Sequence, residues 1–358
     1  MIVHERGTGR FSLFTRSLAA ALVALLAVPL QALAATSSSG GGGPQKVVVI
    51  GFGNEEGVAK HAARLEWEAA QMAATMGRYE LLDLAALLDP EGEKAREEAG
   101  VQAKKNWAAA KGAYDELEVQ LAVDLCDRAM GLYEKSDITR TLPEMVRAWT
   151  LKIASLIANA DVPTANIEQN LLLPLDVDPN FDPNLFDPDF INNAKKKKAD
   201  LQAKATLSID VASKPVPARV FVDGKFRGVT PTEVKNLAPG DHFITLRAPG
   251  YKLIQKRTRA GAASSVGEAL EATPHLAKFE SVLSRVKQSF GTDSRAAPSR
   301  ELAQLLGADQ LVFVSVSRES QQVVHVAVAR VRGSDGAEIA FQEENLADDE
   351  ARYGSLSQ

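Results

Sequence analysis

The sequence LSIDVASKPVPARVFVDGKFRGVTPTEVKNLAPGDHFITLRAPGY, residues 207–251, carries the clearest structural pattern in the chain. Apolar and polar side chains alternate there over short runs, which is typical of strands that bury one face. We therefore expect a small antiparallel β-sheet. The apolar positions that share a face are Leu207 with Ile209 and Val211, Val220 with Val222, and Ile244 with Leu246.

Turn-forming residues separate these runs. Asp223-Gly224 predicts a tight hairpin, because both central positions of such a turn need a positive φ. Further Pro and Gly pairs, such as Thr230-Pro231, indicate additional turns. The predicted structural turn residues are Asp223, Gly224, Pro239, Gly240, Gly250 and Tyr251.

In its motifs the segment resembles the PEGA domain family. An opening LSIDV strand, VFVDGK, RGVTP, LAPGDHFITL and APGY occur in that order. Pro217-Ala218 stands where the family usually has a longer turn containing Pro, so the first turn departs from the pattern. PEGA domains occur in surface-layer and envelope proteins and beside extracellular parts of signalling proteins, and no catalytic residue belongs to the family. The resemblance implies an interaction or spacing module.

The same segment is basic in an acidic chain. Residues 207–259 contain ten Lys or Arg and four acidic residues, while the whole chain has a formal net charge of −5. Such asymmetry could direct the domain to an anionic glycan or an acidic protein, although charges kept outside for solubility would look the same. The candidate binding residues of this basic face are Lys214, Arg219, Lys225, Arg227, Arg247 and Lys252.

The N-terminus has the features of a secretory signal peptide. Arg6, Arg10 and Arg16 precede an apolar run over residues 18–30, and Ala32-Leu33-Ala34 resembles a cleavage site. We predict a signal peptide over residues 1–34, with a retained anchor as the alternative, and no transmembrane span after cleavage. A Gly/Ser linker over residues 35–45 follows.

Periodicity divides the rest of the chain. Residues 46–90 are predicted as strand–helix–strand with a second strand over 79–84, and residues 91–173 as helical with a weak tetratricopeptide-like pattern. A Pro/Asp connector and helix covers 174–204, before the β-domain at 205–259. After a linker at 261–271, residues 275–345 are predicted as two helices and three strands, and residues 346–358 as a flexible tail.

The two ends of the chain resemble periplasmic α/β domains of envelope secretion and translocation proteins. This resemblance rests on KVVVIGF near residue 46 and on ELAQLLGADQLVFVSVSR from residue 301. We hypothesise that residues 46–90 and 299–341 form one split α/β domain, which requires strand 46–52 to lie beside strand 311–317. Separate domains in series are the alternative. Either way the fold class is α+β.

Motifs that suggest catalysis or ligand binding are weak. GFGNEEG at residues 51–57 partly resembles a dinucleotide-binding motif, but its glycine spacing differs from the common form. Glu55 and Glu56 also place two negative charges where a pyrophosphate would bind. Residues 176–187 partly fit a calcium loop, but Phe181 replaces the required Gly, so turn and cap roles are favoured. His61, His242, His275 and His325 lack metal-ligand spacing, and Cys126 is expected to be buried. We assign no catalytic residue, cofactor or metal.

Together these patterns predict a non-enzymatic periplasmic scaffold or adaptor that binds other envelope proteins. The assembly it serves could act in transport, secretion, a surface layer or gliding motility. Association with the outer membrane is also expected. One alternative is binding of peptidoglycan or another anionic glycan through the basic face, and a second is an envelope-polymer hydrolase. The acidic chain and its export argue against nucleic acid as a partner.

Overall fold

The computed structural model describes residues 44–53, 55–77, 79–261 and 264–348. The predicted signal peptide and most of the predicted linker lie outside these residues. The described residues divide into two compact units, one from residues 44–88 and 273–348 and the other from Asp89–Ala272. Mixed helices and sheets confirm the predicted α+β class. In the described part, no helix combines the length and apolarity needed to cross a membrane.

The first unit contains a five-stranded sheet built from both ends of the chain. Strand β1 (Gln45–Gly53) pairs in parallel with β10 (Gln310–Ser320), with Val47 opposite Gln310 and Gly53 opposite Val316. This is the pairing that the split-domain hypothesis required. The remaining strands are β2 (Tyr79–Leu81), β11 (Val323–Arg332) and β12 (Glu338–Ala347), in the order β12-β11-β10-β1-β2.

Helices cover both faces of this sheet. Helix α1 (Ala59–Thr75) packs on the face that carries Val47 and Val49, while α8 (Leu276–Ser289) and α9 (Ala296–Leu306) pack on the opposite face. Burial on both faces explains why KVVVIGF is a continuous apolar run rather than an alternating one.

Two predicted boundaries in this unit are wrong. The strand predicted over 79–84 ends at Leu81, because Asp83 caps a short helix, α2 (Leu84–Leu87), by accepting from the Ala85 amide. The tail predicted from 346 begins two residues too early, since β12 continues to Ala347 by pairing with β11.

The second unit begins with a helical region. Its helices are α3 (Pro90–Asp115), α4 (Val119–Tyr133), α5 (Ile138–Ala158) and α6 (Val162–Leu172), and α7 (Pro188–Ala203) follows the Pro/Asp connector. Trp149 is 1% exposed and lies within the apolar core that these helices share. Lys152 is buried beside it and pairs with Asp127 and Glu168 at 2.6 and 2.7 Å, so this core contains a neutralised charge.

Two sheets follow the helices. The first has the order β6-β3-β9 and the second β5-β4-β7-β8. Their strands are β3 (Leu207–Lys214), β4 (Arg219–Val222), β5 (Lys225–Val229), β6 (Thr232–Leu237), β7 (Asp241–Arg247), β8 (Ile254–Arg259) and β9 (Ser264–Ala269). The linker predicted over 261–271 is therefore wrong, because β9 runs through it. The sheets are also not wholly antiparallel, since β9 pairs in parallel with β3.

Two strands of the second sheet are buried more completely than the alternating pattern predicts. All four residues of β4 are buried, and in β7 the side chains from His242 to Arg247 are buried on both faces. The second face of β7 is covered by the helical region, because Phe243 belongs to the same apolar cluster as Trp149. The β-domain is thus built against the helices of its own unit.

Candidate functional site

The best-defined polar site in the second unit joins the β-domain to the helical region. Arg247, at the end of β7, donates from Nη1 to Asp137 Oδ2 over 2.9 Å. The two side chains are only 7% and 5% exposed. Breaking such a buried pair is costly, because the remaining charge loses its partner in a poorly solvated position.

Asp137 is placed there by its role as the N-cap of α5. Its Oδ1 accepts from the Thr139 amide at 3.0 Å, which satisfies one of the free N–H groups of the first helical turn. A second carboxylate, Glu93 on α3, lies 3.8 Å from Arg247 and also pairs with Arg96 at 3.0 Å. The cap, α3 and β7 therefore share one ion cluster.

Strand β8 makes the adjoining contacts. Gln255 Oε1 accepts from the Ile138 amide at 3.0 Å, and Gln255 Nε2 donates to the Glu134 carbonyl at 2.8 Å. Arg257 pairs with the Glu134 carboxylate at 2.7 Å, and its guanidinium lies 5.4 Å from the centre of the Trp149 ring. One strand thus satisfies backbone groups at the end of α4 and the start of α5.

A buried Asp–His pair holds the Asp223-Gly224 hairpin. Asp223 accepts from the Phe243 amide at 2.9 Å, from the Asp176 amide at 2.9 Å and from His242 Nδ1 at 2.7 Å. His242 Nε2 lies 2.9 Å from the Ala238 carbonyl, so both ring nitrogens face acceptors. The imidazolium form has two donors and satisfies both.

The pKa of His242 reflects this geometry. Burial alone would lower the pKa, but the hydrogen bond and charge of Asp223, with the Ala238 carbonyl, outweigh it and raise the pKa above its ordinary value. Arg227 opposes that rise weakly through its charge. The raised pKa favours the imidazolium form of His242 as the partner of Asp223 inside the β-domain.

The connector supplies the third contact. Asp176 pairs with Lys225 at 2.8 Å and with Arg227 at 2.6 Å. Partial burial by itself would raise the pKa of Asp176, but the hydrogen bond from Lys225 and the charges of Lys225 and Arg227 outweigh it. The net effect is a lowered pKa. Lys198, on α7, donates to the carbonyls of Leu173 and Leu175, and burial lowers its pKa.

The predicted basic residues therefore have different environments. Arg247 is buried in the ion cluster, Arg219 is 6% exposed on β4, and Lys225 and Arg227 pair with Asp176. Lys252 pairs with Glu271, and Lys214 is exposed at the end of β3. Several of the cations counted as a basic face are thus matched by carboxylates of the same unit.

The predicted turn residues lie largely at this interface. Asp223 and Gly224 have φ of 50° and 77°, as the predicted hairpin requires. A Cβ at Gly224 would lie 3.4 Å from the Ile138 carbonyl oxygen, and one at Gly240, after Pro239, would lie 2.4 Å from Pro174 Cγ. Gly250 also has a positive φ, and buried Tyr251 forms an isolated bridge with Ala272.

The connector acids form turns and caps. Asp178 accepts from the Asn180 amide, Asp182 from the Asn184 amide and Asp187 from the Phe190 amide. Within the described ranges, no group of three or more His, Cys, Asp and Glu side chains could hold a metal ion.

The glycine segment after β1 has a packing role at its first position. Gly51 donates its amide to Glu66 at 3.0 Å, and a Cβ there would lie 2.5 Å from the Ala62 carbonyl oxygen. Glycine thus lets α1 approach β1 closely. His325 Nδ1 lies 2.9 Å from Asn345 Oδ1 on the neighbouring strand, as a packed sheet residue would.

Sequence reasoning missed the residues that make the interface, above all Asp137, Gln255 and His242. One signal was present: VFV is a continuous apolar run, and Phe243 and Ile244 place apolar side chains on both faces of the later strand, which indicates burial on both faces and hence a covering element. The partner carboxylates lie more than a hundred residues away from Arg247 and Arg257 in the chain, and no local pattern links them.

Comparison with known proteins identifies one part of the chain. No curated protein and no solved structure matches it. Residues 206–266 match the family model of the PEGA domain, and this match covers the seven strands except the last residues of β9. The chain therefore contains a PEGA domain, built against a helical region of the same unit.

Proposed function

We propose that this protein is an exported, non-enzymatic scaffold or adaptor of a bacterial cell envelope, which acts by binding other envelope proteins. The PEGA match supports an envelope module, and the predicted leader supports export. The finer assignment to transport, secretion, a surface layer or gliding motility, and to the outer membrane, remains part of this proposal.

The observation that carries the proposal is the set of contacts between the PEGA domain and the helices. Arg247 and Arg257 fix the β-domain to the helical region, and the Asp176 pairs fix it to the connector, through groups that are charged or buried. A β-module joined in this way presents one composite surface to a partner, as a scaffold needs. The same pairs neutralise cations that a glycan-binding face would use, which favours a protein partner over an anionic glycan.

Crosslinking of the full-length, C-terminally tagged protein in its native cells, followed by fractionation and mass spectrometry, tests the proposal. The expected result is processed protein in the envelope fraction, crosslinked to a small set of envelope proteins that also co-purify at high salt. Intact precursor in the cytosol would contradict export.

Incubation with purified sacculi separates the alternatives. Salt-sensitive binding that is lost in a Lys214→Glu, Lys252→Glu double variant would favour the glycan-binding alternative, because both substituted lysines are exposed. Release of soluble fragments from the sacculi would favour the hydrolase. Either result, if no crosslinks to envelope proteins are found, would overturn the proposed scaffold function.

A further inference from the structure

A cavity of about 380 Å³ opens between α3, the end of α4 and the start of α5. Gly100 and Val101 form one side of it, and Tyr133, Thr141 and Glu144 form the other. Val101 is 55% exposed, so an apolar surface remains open at the entrance. The volume lies within the range of small-ligand sites, which begin at about 300 Å³.

Two oxygen atoms at this cavity are buried without a partner. Tyr133 is 2% exposed, and neither its hydroxyl nor Glu144 Oε2 has a hydrogen-bond partner among the described residues. Burial raises the pKa of Tyr133 and the charge of Glu144 raises it further, while the charge of Arg147 partly opposes the rise, so the Glu144 carboxylate acts on the Tyr133 hydroxyl. Buried polar atoms are almost always bonded, and an unpartnered pair suggests a missing donor.

The charges around the cavity indicate whether that donor is positively charged or neutral. Glu93, Arg96, Asp137 and Arg140 already pair with one another in the ion cluster. Glu97 and Lys104 at the rim are exposed and of opposite sign. Arg147, one turn after Glu144 on α5, is near enough to lower the pKa of Tyr133 but forms no ion pair with Glu144 in the described part of the chain, and Glu144 Oε2 lacks a hydrogen-bond partner there. A cationic donor would supply that partner.

From this geometry we propose that the cavity binds an alkylammonium group, specifically the side chain of a lysine on a partner protein. Its ammonium donates to Glu144 Oε2 and to the Tyr133 hydroxyl, while its aliphatic stem packs along Val101 and the open side of Gly100. A compact ammonium with three rotatable donors suits two separate oxygens better than a planar guanidinium does. The aliphatic stem suits the apolar part of the lining at Gly100 and Val101, between the charged side chains that line the rest of the cavity.

The site adjoins the contact between helices and PEGA domain. Glu93, Asp137 and Arg140 line the cavity and belong to the ion cluster that holds Arg247. A ligand here would therefore contact the same charged groups that join the β-domain to α3 and α5.

Titration calorimetry with the purified full-length protein tests this inference. The probes are the peptide acetyl-Ala-Lys-Ala-amide, its Nε-acetylated form, and free cadaverine. We expect saturable binding of the lysyl peptide and about tenfold weaker binding of the acetylated peptide, because the charged hydrogen bond is lost. Binding of cadaverine alone would overturn the lysyl partner, and binding of none of the three would overturn the site.

Three variants locate the binding. Glu144→Gln is expected to weaken binding about tenfold, and Glu98→Gln, on an exposed residue of α3, is expected to leave it unchanged. Gly100→Leu keeps every charge but fills the cavity, since a Cβ there would lie 3.7 Å from Ser136 Cβ and 3.9 Å from Thr141 Cγ2. Leucine has a higher helix propensity than glycine, so the variant is expected to fold. Loss of binding would then mean that the new side chain occupies the cavity. Unchanged binding in Glu144→Gln or Gly100→Leu contradicts the proposal.

Discussion

Arg247 and Asp137, separated by 110 residues in the chain, form a buried ion pair of 2.9 Å that joins the last residue of a PEGA strand to the N-cap of a helix. The pair connects two elements with different architectures, and it uses the charge that sequence reasoning assigned to an exterior binding face.

Arg247→Met is expected to destabilise the unit of residues 89–272 by about 3 kcal/mol, because Asp137 would lose its closest cation while remaining buried. Urea denaturation followed by circular dichroism measures the change. Lys252→Met removes an exposed pair with Glu271 and should cost less than about 1 kcal/mol. Equal effects of the two variants would contradict the buried role of Arg247.

The stability of this unit is expected to fall as pH rises above the ordinary His value. The folded pKa of His242 is raised, so its contribution is fully present below the unfolded pKa of about 6.5 and is lost as pH rises through the folded value. His242 is the only histidine in residues 89–272. Denaturation series from about pH 6 to pH 9 test this, and His242→Gln should flatten the slope. Stability that increases with pH in the wild type would contradict the assignment.

Gly240→Ala is expected to cost about 2 kcal/mol or more. The new Cβ would lie 2.4 Å from Pro174 Cγ, and φ at this position is 147°. Gly267 in β9 is the matched control, because a Cβ there meets nothing within 4 Å and no unusual φ applies. Gly267→Ala should be neutral or stabilising. Thermal unfolding compares the two, and a neutral Gly240→Ala would show that the connector does not pack on this turn.

Cys126 is expected to resist alkylation in the folded protein. It is fully buried, and burial, with a smaller effect of Asp127, raises the pKa of its thiol to about 12. Very little reactive thiolate exists at pH 8. Labelling with iodoacetamide, followed by mass spectrometry, should be slow in buffer and complete in denaturant. Rapid labelling of the native protein would contradict the packing of α4.

Particular residues show what the sequence could predict. The alternation of Ile209 and Val211, and the Asp223-Gly224 turn, identify the PEGA strands because they depend on local rules of side-chain direction and backbone φ. The split domain was hypothesised from the resemblance of KVVVIGF and ELAQLLGADQLVFVSVSR to the ends of periplasmic α/β domains. The parallel pairing of β1 with β10 agrees with their continuous apolar runs, which suit central strands.

Other features depend on distant residues. Strand β9, SSVGEA, carries only one buried apolar side chain, Val266, and is fixed by its parallel pairing with β3 rather than by its own pattern. The partners of Arg247 and Arg257 depend on where α4 ends and where α5 begins. The sequence shows how many cations the β-domain carries. It does not show that carboxylates of the same unit pair with cations such as Arg247 and Arg257.

Hydrogen exchange measured by mass spectrometry on wild type, Arg247→Met and Lys252→Met tests most directly whether the PEGA domain and the helices form one unit. We predict that Arg247→Met accelerates exchange in peptides from both β7 and α5, whereas Lys252→Met leaves both unchanged. Faster exchange in β7 with α5 unaffected would contradict the account, because the β-domain would then open independently of the helices.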